Sequence, residues 1–80
     1  MNNLNVAKIQ LNGDPYEINS GTNLNELLNK LKIQKNKVAV EVNGKIVERK
    51  KYTNLILNKN DKVEIVQFIG EDKFWKIFLQ

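Results

Sequence analysis

The sequence predicts an α+β domain in which one helix covers one face of a mixed sheet of four to five strands. Three observations predict it. Two Asn-Gly pairs, Asn12-Gly13 and Asn43-Gly44, each join short segments of strand character. Both residue types tolerate positive φ, so each pair marks a tight hairpin. A single apolar stripe, Leu24, Leu27, Leu28 and Leu31, has the i, i+3, i+4, i+7 spacing of an amphipathic helix. Residues 62–69, KVEIVQFI, form a β-branched run that reads as a final strand.

The elements follow in order. Residues 1–5 are polar and start as a frayed end. Residues 7–11, AKIQL, alternate small or apolar with polar, the period of a half-buried strand. After the first turn, Tyr16-Glu17-Ile18 returns as the second strand, with Pro15 at its start where a missing N–H costs little. A loop over 19–22 leads to a helix over 23–32. Thr22 or Asn23 caps it, and Glu26 stands three residues after Asn23 as in a capping box.

Residues 38–42, VAVEV, make a third strand with three valines on one face. Ile46-Val47 makes a short fourth. Residues 48–57 are less periodic, and Tyr52, Leu55, Ile56 and Leu57 are expected to tuck a turn against the core. The order is hairpin, helix, hairpin, last strand. One helix covers only one sheet face. With the last strand parallel to the first and beside it mid-sheet, this is the β-grasp, or ubiquitin-like, arrangement.

Composition bounds the function. At 80 residues the chain holds one domain, with little room for a deep pocket. It has no cysteine and no histidine. Disulfides, Cys/His zinc sites, thiol nucleophiles and the usual general base near neutral pH are therefore excluded. The lack of cysteine points to a cytoplasmic setting. No apolar run of about 18 residues is present, so no membrane partner is expected. Residues 1–5 have neither the charge nor the apolar stretch of a signal peptide.

The net charge of +4, from 13 basic and 9 acidic residues, is spread over dispersed, mostly lysine side chains. Such lysines give no fixed docking geometry, so no nucleic-acid partner is expected. The carboxylates are scattered. Glu41 and Glu64 could share a sheet face, where the plain reading is two solvated strand residues. There is no glycine-rich phosphate loop, no histidine dyad or triad and no metal cluster. No catalytic, cofactor-binding or metal-binding residue is assigned, and the chain is expected to be handled by other proteins rather than to be an enzyme.

Four segments together resemble the sulfur-carrier proteins of thiamine thiazole biosynthesis. They are Ile9–Gly13 (IQLNG), Thr22–Leu28 (TNLNELL), Val38–Val47 (VAVEVNGKIV) and Asp61–Gly70 (DKVEIVQFIG). They cover roughly residues 7–70 in the family's order and spacing. The resemblance implies a β-grasp carrier whose mobile tail ends in Gly-Gly. It implies an adenylating partner, a ubiquitin-activating-like adenylyltransferase, that uses ATP to activate the terminal carboxylate. Sulfur then replaces the adenylate, and the thiocarboxylate is delivered to thiazole synthase. ATP belongs to the partner, and no bound cofactor is implied for this chain. A diglycine tail suits that chemistry because, without Cβ atoms, it threads a narrow channel.

The match breaks where the chemistry would sit. Gly70 aligns with the approach to the diglycine, but Glu71-Asp72 follow it and the chain continues to Gln80. Gly70 is thus the carrier-tail candidate, although it is not terminal. Residues 1–70 are read as the carrier-like domain and 71–80 as an atypical extension. The alternative is a β-grasp interaction module that has lost carrier chemistry. Residues 73–79 include Phe74, Trp75, Ile77, Phe78 and Leu79. Each large apolar side chain gains about 1.5–3 kcal/mol on full burial. The segment is therefore expected to pack, against its own domain or against another protein, a second copy (self-association through residues 73–79) included, with a helical turn as its form. A disordered extension is the alternative.

Overall fold

The computed structural model describes residues 5–68 and 75–77. β1 (Val6–Leu11) and β2 (Asp14–Asn19) form an antiparallel hairpin, with Ile9 opposite Tyr16 and Leu11 opposite Asp14. Asn12 and Gly13 turn it with φ of 49° and 90°, the backbone that an Asn-Gly pair accepts at low cost.

The helix α1 (Leu24–Lys30) begins with the expected capping box. The Asn23 side chain accepts from the Glu26 N–H at 2.8 Å, and the Glu26 carboxylate accepts from the Asn23 N–H at 2.9 Å. The helix ends earlier than the expected 32. Lys32 takes a left-handed φ of 62°. Its N–H donates to the Asn29 carbonyl at 3.0 Å, and the Ile33 N–H donates to that of Leu28 at 2.9 Å. This is a Schellman stop with lysine where glycine is usual, and it turns Ile33 back into the core.

β3 (Val38–Val42), β4 (Lys45–Ile46) and β5 (Lys62–Phe68) complete the main sheet, whose order is β2-β1-β5-β3-β4. β5 runs parallel to β1 and antiparallel to β3. The central parallel pair places the last main strand beside the first, as expected. The core lies between α1 and the sheet. Leu24, Leu27 and Leu28 from the helix meet Ile9, Leu11, Val40, Val63 and Ile65 from the strands, all buried. Leu31, the last of the stripe, is half-buried.

The segment between β4 and β5 makes a 3-10 turn at Arg49–Lys51 and then buries Tyr52 and Leu57. It also supplies acceptors to the start of the helix. The Leu24 N–H donates to Leu55 O at 2.9 Å and the Asn25 N–H to Tyr52 O at 3.1 Å. These helix-end donors would otherwise lack partners. Ile56 departs from expectation and is 48% exposed, because it pairs as an isolated bridge with Asn23 while Leu57 turns inward.

A last strand, β6 (Trp75–Ile77), pairs antiparallel with β5, with Val66 opposite Ile77 and Phe68 opposite Trp75. The helical turn expected in this segment is thus not what residues 75–77 form. The reason lies in β5, whose Gln67 lies beyond the end of β1 and beyond the reach of Asn12, so that an extended segment pairs with it.

Candidate functional site

The resemblance points to Gly70, so the candidate site is built from the carboxyl end of β5 that leads to it and the sheet face beside that strand. β5 is held on both sides. β3 pairs with it over Val63–Gln67, while β1 pairs only at Lys62 and Val63. On the β1 side the Gln10 N–H donates to Asp61 O at 2.9 Å and the Asn12 N–H to Val63 O at 2.8 Å. The chain then leaves this lane at the Asn12-Gly13 turn.

Asn12 fills the next position with its side chain. Its Oδ1 accepts from the Ile65 N–H at 2.7 Å, and its Nδ2 donates to the Ile65 carbonyl at 3.2 Å. A carboxamide has the same donor and acceptor as a peptide, so Asn12 continues β1 by one residue without backbone. The sequence reading of Asn12 as a turn residue was correct but missed this second role. The only signal was the choice of Asn among residues that tolerate positive φ.

The entry to β5 is fixed by a second network. Asn43, at φ 54°, donates from Nδ2 to Asp61 Oδ1 at 3.0 Å and accepts the Lys62 N–H at 2.9 Å. Its own N–H donates to Lys62 O at 2.7 Å. The other Asp61 oxygen accepts the Asn58 N–H at 2.8 Å. The β3–β4 turn and the turn before β5 are thereby clamped together. Asparagine side chains thus hold β5 at its start, through Asn43, and at its middle, through Asn12.

The sheet face away from α1 is exposed at Ile46, Lys62 and Glu64. Register places Ala39 and Glu41 of β3, Ile46 of β4, and Lys62, Glu64 and Val66 of β5 on it. Glu41 and Glu64 are direct cross-strand partners, so the structure brings together the two carboxylates that the sequence could only suggest. With Asn43, Gly44 and Lys62 they line a shallow depression. Ile46, beside Glu41, is 73% exposed. A shallow, mixed face of this kind suits a protein partner better than an enclosed small molecule.

Gly70, the carrier-tail candidate, lies outside the described residues, as do Glu71, Asp72, Phe74, Phe78 and Leu79. Among the described residues no group of His, Cys, Asp or Glu could hold a metal ion, and no helix is long and apolar enough to cross a membrane.

Among the described residues, one α-helix on a mixed sheet with β1 and β5 parallel at its centre, and an exposed face leading to the end of β5, defines a ubiquitin-like β-grasp domain. Residues 9–70 match the ThiS family, and the chain belongs to it: a sulfur carrier-like protein of ubiquitin-like fold. A crystal structure of the thiamine biosynthesis protein (ThiS) from Geobacter metallireducens is similar at a TM-score of 0.71 and 32% identity, covering 81% of this chain and 99% of that one. The thiazole synthase of Magnetococcus marinus is 44% identical over 63 residues, 79% of this chain but 19% of that protein. The chain therefore spans about a fifth of that relative's length. The uncharacterized protein ycf40 of Porphyra purpurea is 33% identical over 70 residues, 88% of this chain and 97% of that one.

Proposed function

We propose that this chain carries sulfur for the thiazole branch of thiamine biosynthesis, as a thiocarboxylate on a glycine that follows β5. The observation that carries the reading is the family match over residues 9–70, which runs through the whole β-grasp core and stops where the extension begins. In the proposed cycle a ubiquitin-activating-like adenylyltransferase binds the open face and the end of β5. Hydrolysis of the Gly70–Glu71 peptide bond first releases residues 71–80 and frees a glycine carboxylate. That carboxylate attacks the α-phosphate of ATP and releases pyrophosphate. A sulfur nucleophile displaces AMP, and the thiocarboxylate passes to thiazole synthase. The resemblance of the chain to proteins named thiazole synthase supports that last partner.

The chain's own share is presentation. A carboxylate is a poor electrophile until its oxygen becomes a good leaving group, and that activation falls to the partner. The clamps at Asn43 and Asn12 hold β5 in one direction, so docking of the sheet face fixes where the tail goes. On this reading the carrier itself turns over no ATP.

A second reading is favoured by one feature: Glu71-Asp72 stand after Gly70 in place of a diglycine. On that reading the chain is a binding module of the same fold. The two separate in one experiment. A chain ending in Gly-Gly after Gly70 and the full chain are each incubated with a cognate adenylyltransferase, ATP and a sulfur donor. The carrier reading expects pyrophosphate release and an oxygen-to-sulfur mass change in the shortened chain. Binding to the adenylyltransferase with neither product supports the module.

A further inference from the structure

The lane beside β5 is filled in three successive ways. β1 backbone occupies it at Lys62 and Val63, the Asn12 side chain at Ile65, and β6 from Val66 to Phe68. The carbonyls of Asp61 and Val63 and both polar groups of Ile65 face this side. Strand alternation therefore turns the N–H and C=O of Gln67 the same way, while Val66 faces β3. Gln67 is opposite Lys76 in β6, so these two residues form the hydrogen-bonded pair of the short ladder. Without β6, Gln67 would present an unpaired strand edge at the site's exit, a template for another strand.

We propose that β6 is a latch supplied in cis: it occupies the strand slot at Gln67 and holds the end of β5 in a closed hairpin, so a partner engages this exit only when the pairing opens. The inference rests on the carrier reading for the identity of that partner. Residues 69–74 join Phe68 to Trp75, and those two residues are themselves register partners, so the chain leaving β5 is returned to β5. An extended tail and the β5–β6 pairing are mutually exclusive. The latch is small. Two exchanged backbone hydrogen bonds favour the closed form by roughly 30-fold, and loop closure takes some of that back. An apparent affinity reduced by the open fraction is then about tenfold weaker than that of the opened chain. This is a bias that a partner can overcome, not a permanent block.

The test uses binding rather than adenylation, because the amide bond between Gly70 and Glu71 prevents adenylation of Gly70 with or without a latch. Three proteins are compared: the full chain, Lys76→Pro, and the chain ending at Gly70. Proline removes the Lys76 N–H from the ladder. Among the described residues the buried core runs from Ile9 to Ile65, and neither change alters one of these. Amide exchange by NMR should show the Gln67 N–H protected in the full chain and exposed in the other two. Val66, bonded to β3, should stay protected in all three. Titration against a cognate adenylyltransferase without ATP should show both altered chains binding about tenfold tighter than the full chain. Equal Gln67 exchange in the full chain and Lys76→Pro overturns the latch, and so does loss of protection with unchanged affinity. Binding by none of the three removes the carrier reading, and the latch with it.

Discussion

Asn12→Gly is the most informative single change, because it removes a side chain that acts as backbone and relaxes the turn at the same time. Asn12 makes two hydrogen bonds to Ile65, at 2.7 and 3.2 Å, in a half-buried setting. A net bond contributes about 1 kcal/mol, and leaving a buried partner unmet costs about 1–3 kcal/mol. Water reaches part of this site, so the lower part of the range applies and Asn12→Gly should cost about 1–2 kcal/mol. Asn12→Ala loses the same bonds and also puts a Cβ at a φ of 49°, in the left-handed region. That adds about 1 kcal/mol, for a total of about 2–3 kcal/mol. Asn12→Asp should fall between wild type and glycine near neutral pH, since it still accepts from the Ile65 N–H but sets an oxygen against the Ile65 carbonyl. Urea unfolding read by circular dichroism gives the differences, provided the m-value is unchanged. If Asn12→Gly lies within about half a kcal/mol of wild type, the carboxamide is not replacing strand backbone. If Asn12→Ala is no worse than Asn12→Gly, the turn strain has been misjudged.

Further outcomes follow from the core, the cap and the buried phenol. Leu28→Ala, at a fully buried side chain of the core between helix and sheet, should cost about 2–5 kcal/mol; a loss under about half a kcal/mol would contradict its central place. Asn23→Ala breaks one of the two capping-box bonds and should cost about 0.5–2 kcal/mol in urea unfolding, with no cost counting against the cap. Burial pushes the Tyr52 phenol above its ordinary value, with nearby Arg49 opposing weakly. The folded state thus holds that proton more tightly than the unfolded state. The resulting stability is complete below about pH 10, the ordinary tyrosine value, and is lost as pH rises through the folded value. Tyr52→Phe should flatten the decline of stability above about pH 10, and equal slopes for the two proteins would refute the assignment.

The fold was legible in the sequence because its signals are local and agree with one another. Asn12-Gly13 and Asn43-Gly44 set two hairpins through their own backbone preferences, and both turns formed where expected. The Leu24, Leu27, Leu28 stripe and the Asn23–Glu26 box fixed one helix and its start. Its end was misplaced because the stop uses Lys32 in a left-handed conformation, and nothing about a lysine announces that. Ile56 was misplaced for a related reason. In a segment without regular period, whether Ile56 or Leu57 turns inward depends on which backbone bonds to Asn23 and Thr22, a tertiary fact.

The candidate site was less legible, because what shapes it is contact between residues far apart in the chain. Asn12 reaches Ile65 and Asn43 reaches Asp61 across gaps that no local pattern spans. The same holds for the pairing of Glu41 with Glu64, two carboxylates set opposite each other on the open face. Like charges directly opposite in a sheet are destabilising by a few tenths of a kcal/mol or more. A fold under no other demand gains nothing from keeping them there. On the proposed carrier reading a basic partner surface over this face relieves that cost, so the pair leaves the free chain slightly less stable and the docked one relatively more so. The latch at Gln67 follows the same logic in the opposite sense, since β6 lowers the free energy of the free chain at the exit. On the proposed reading one feature favours complex formation and the other restrains it, and both converge on β5.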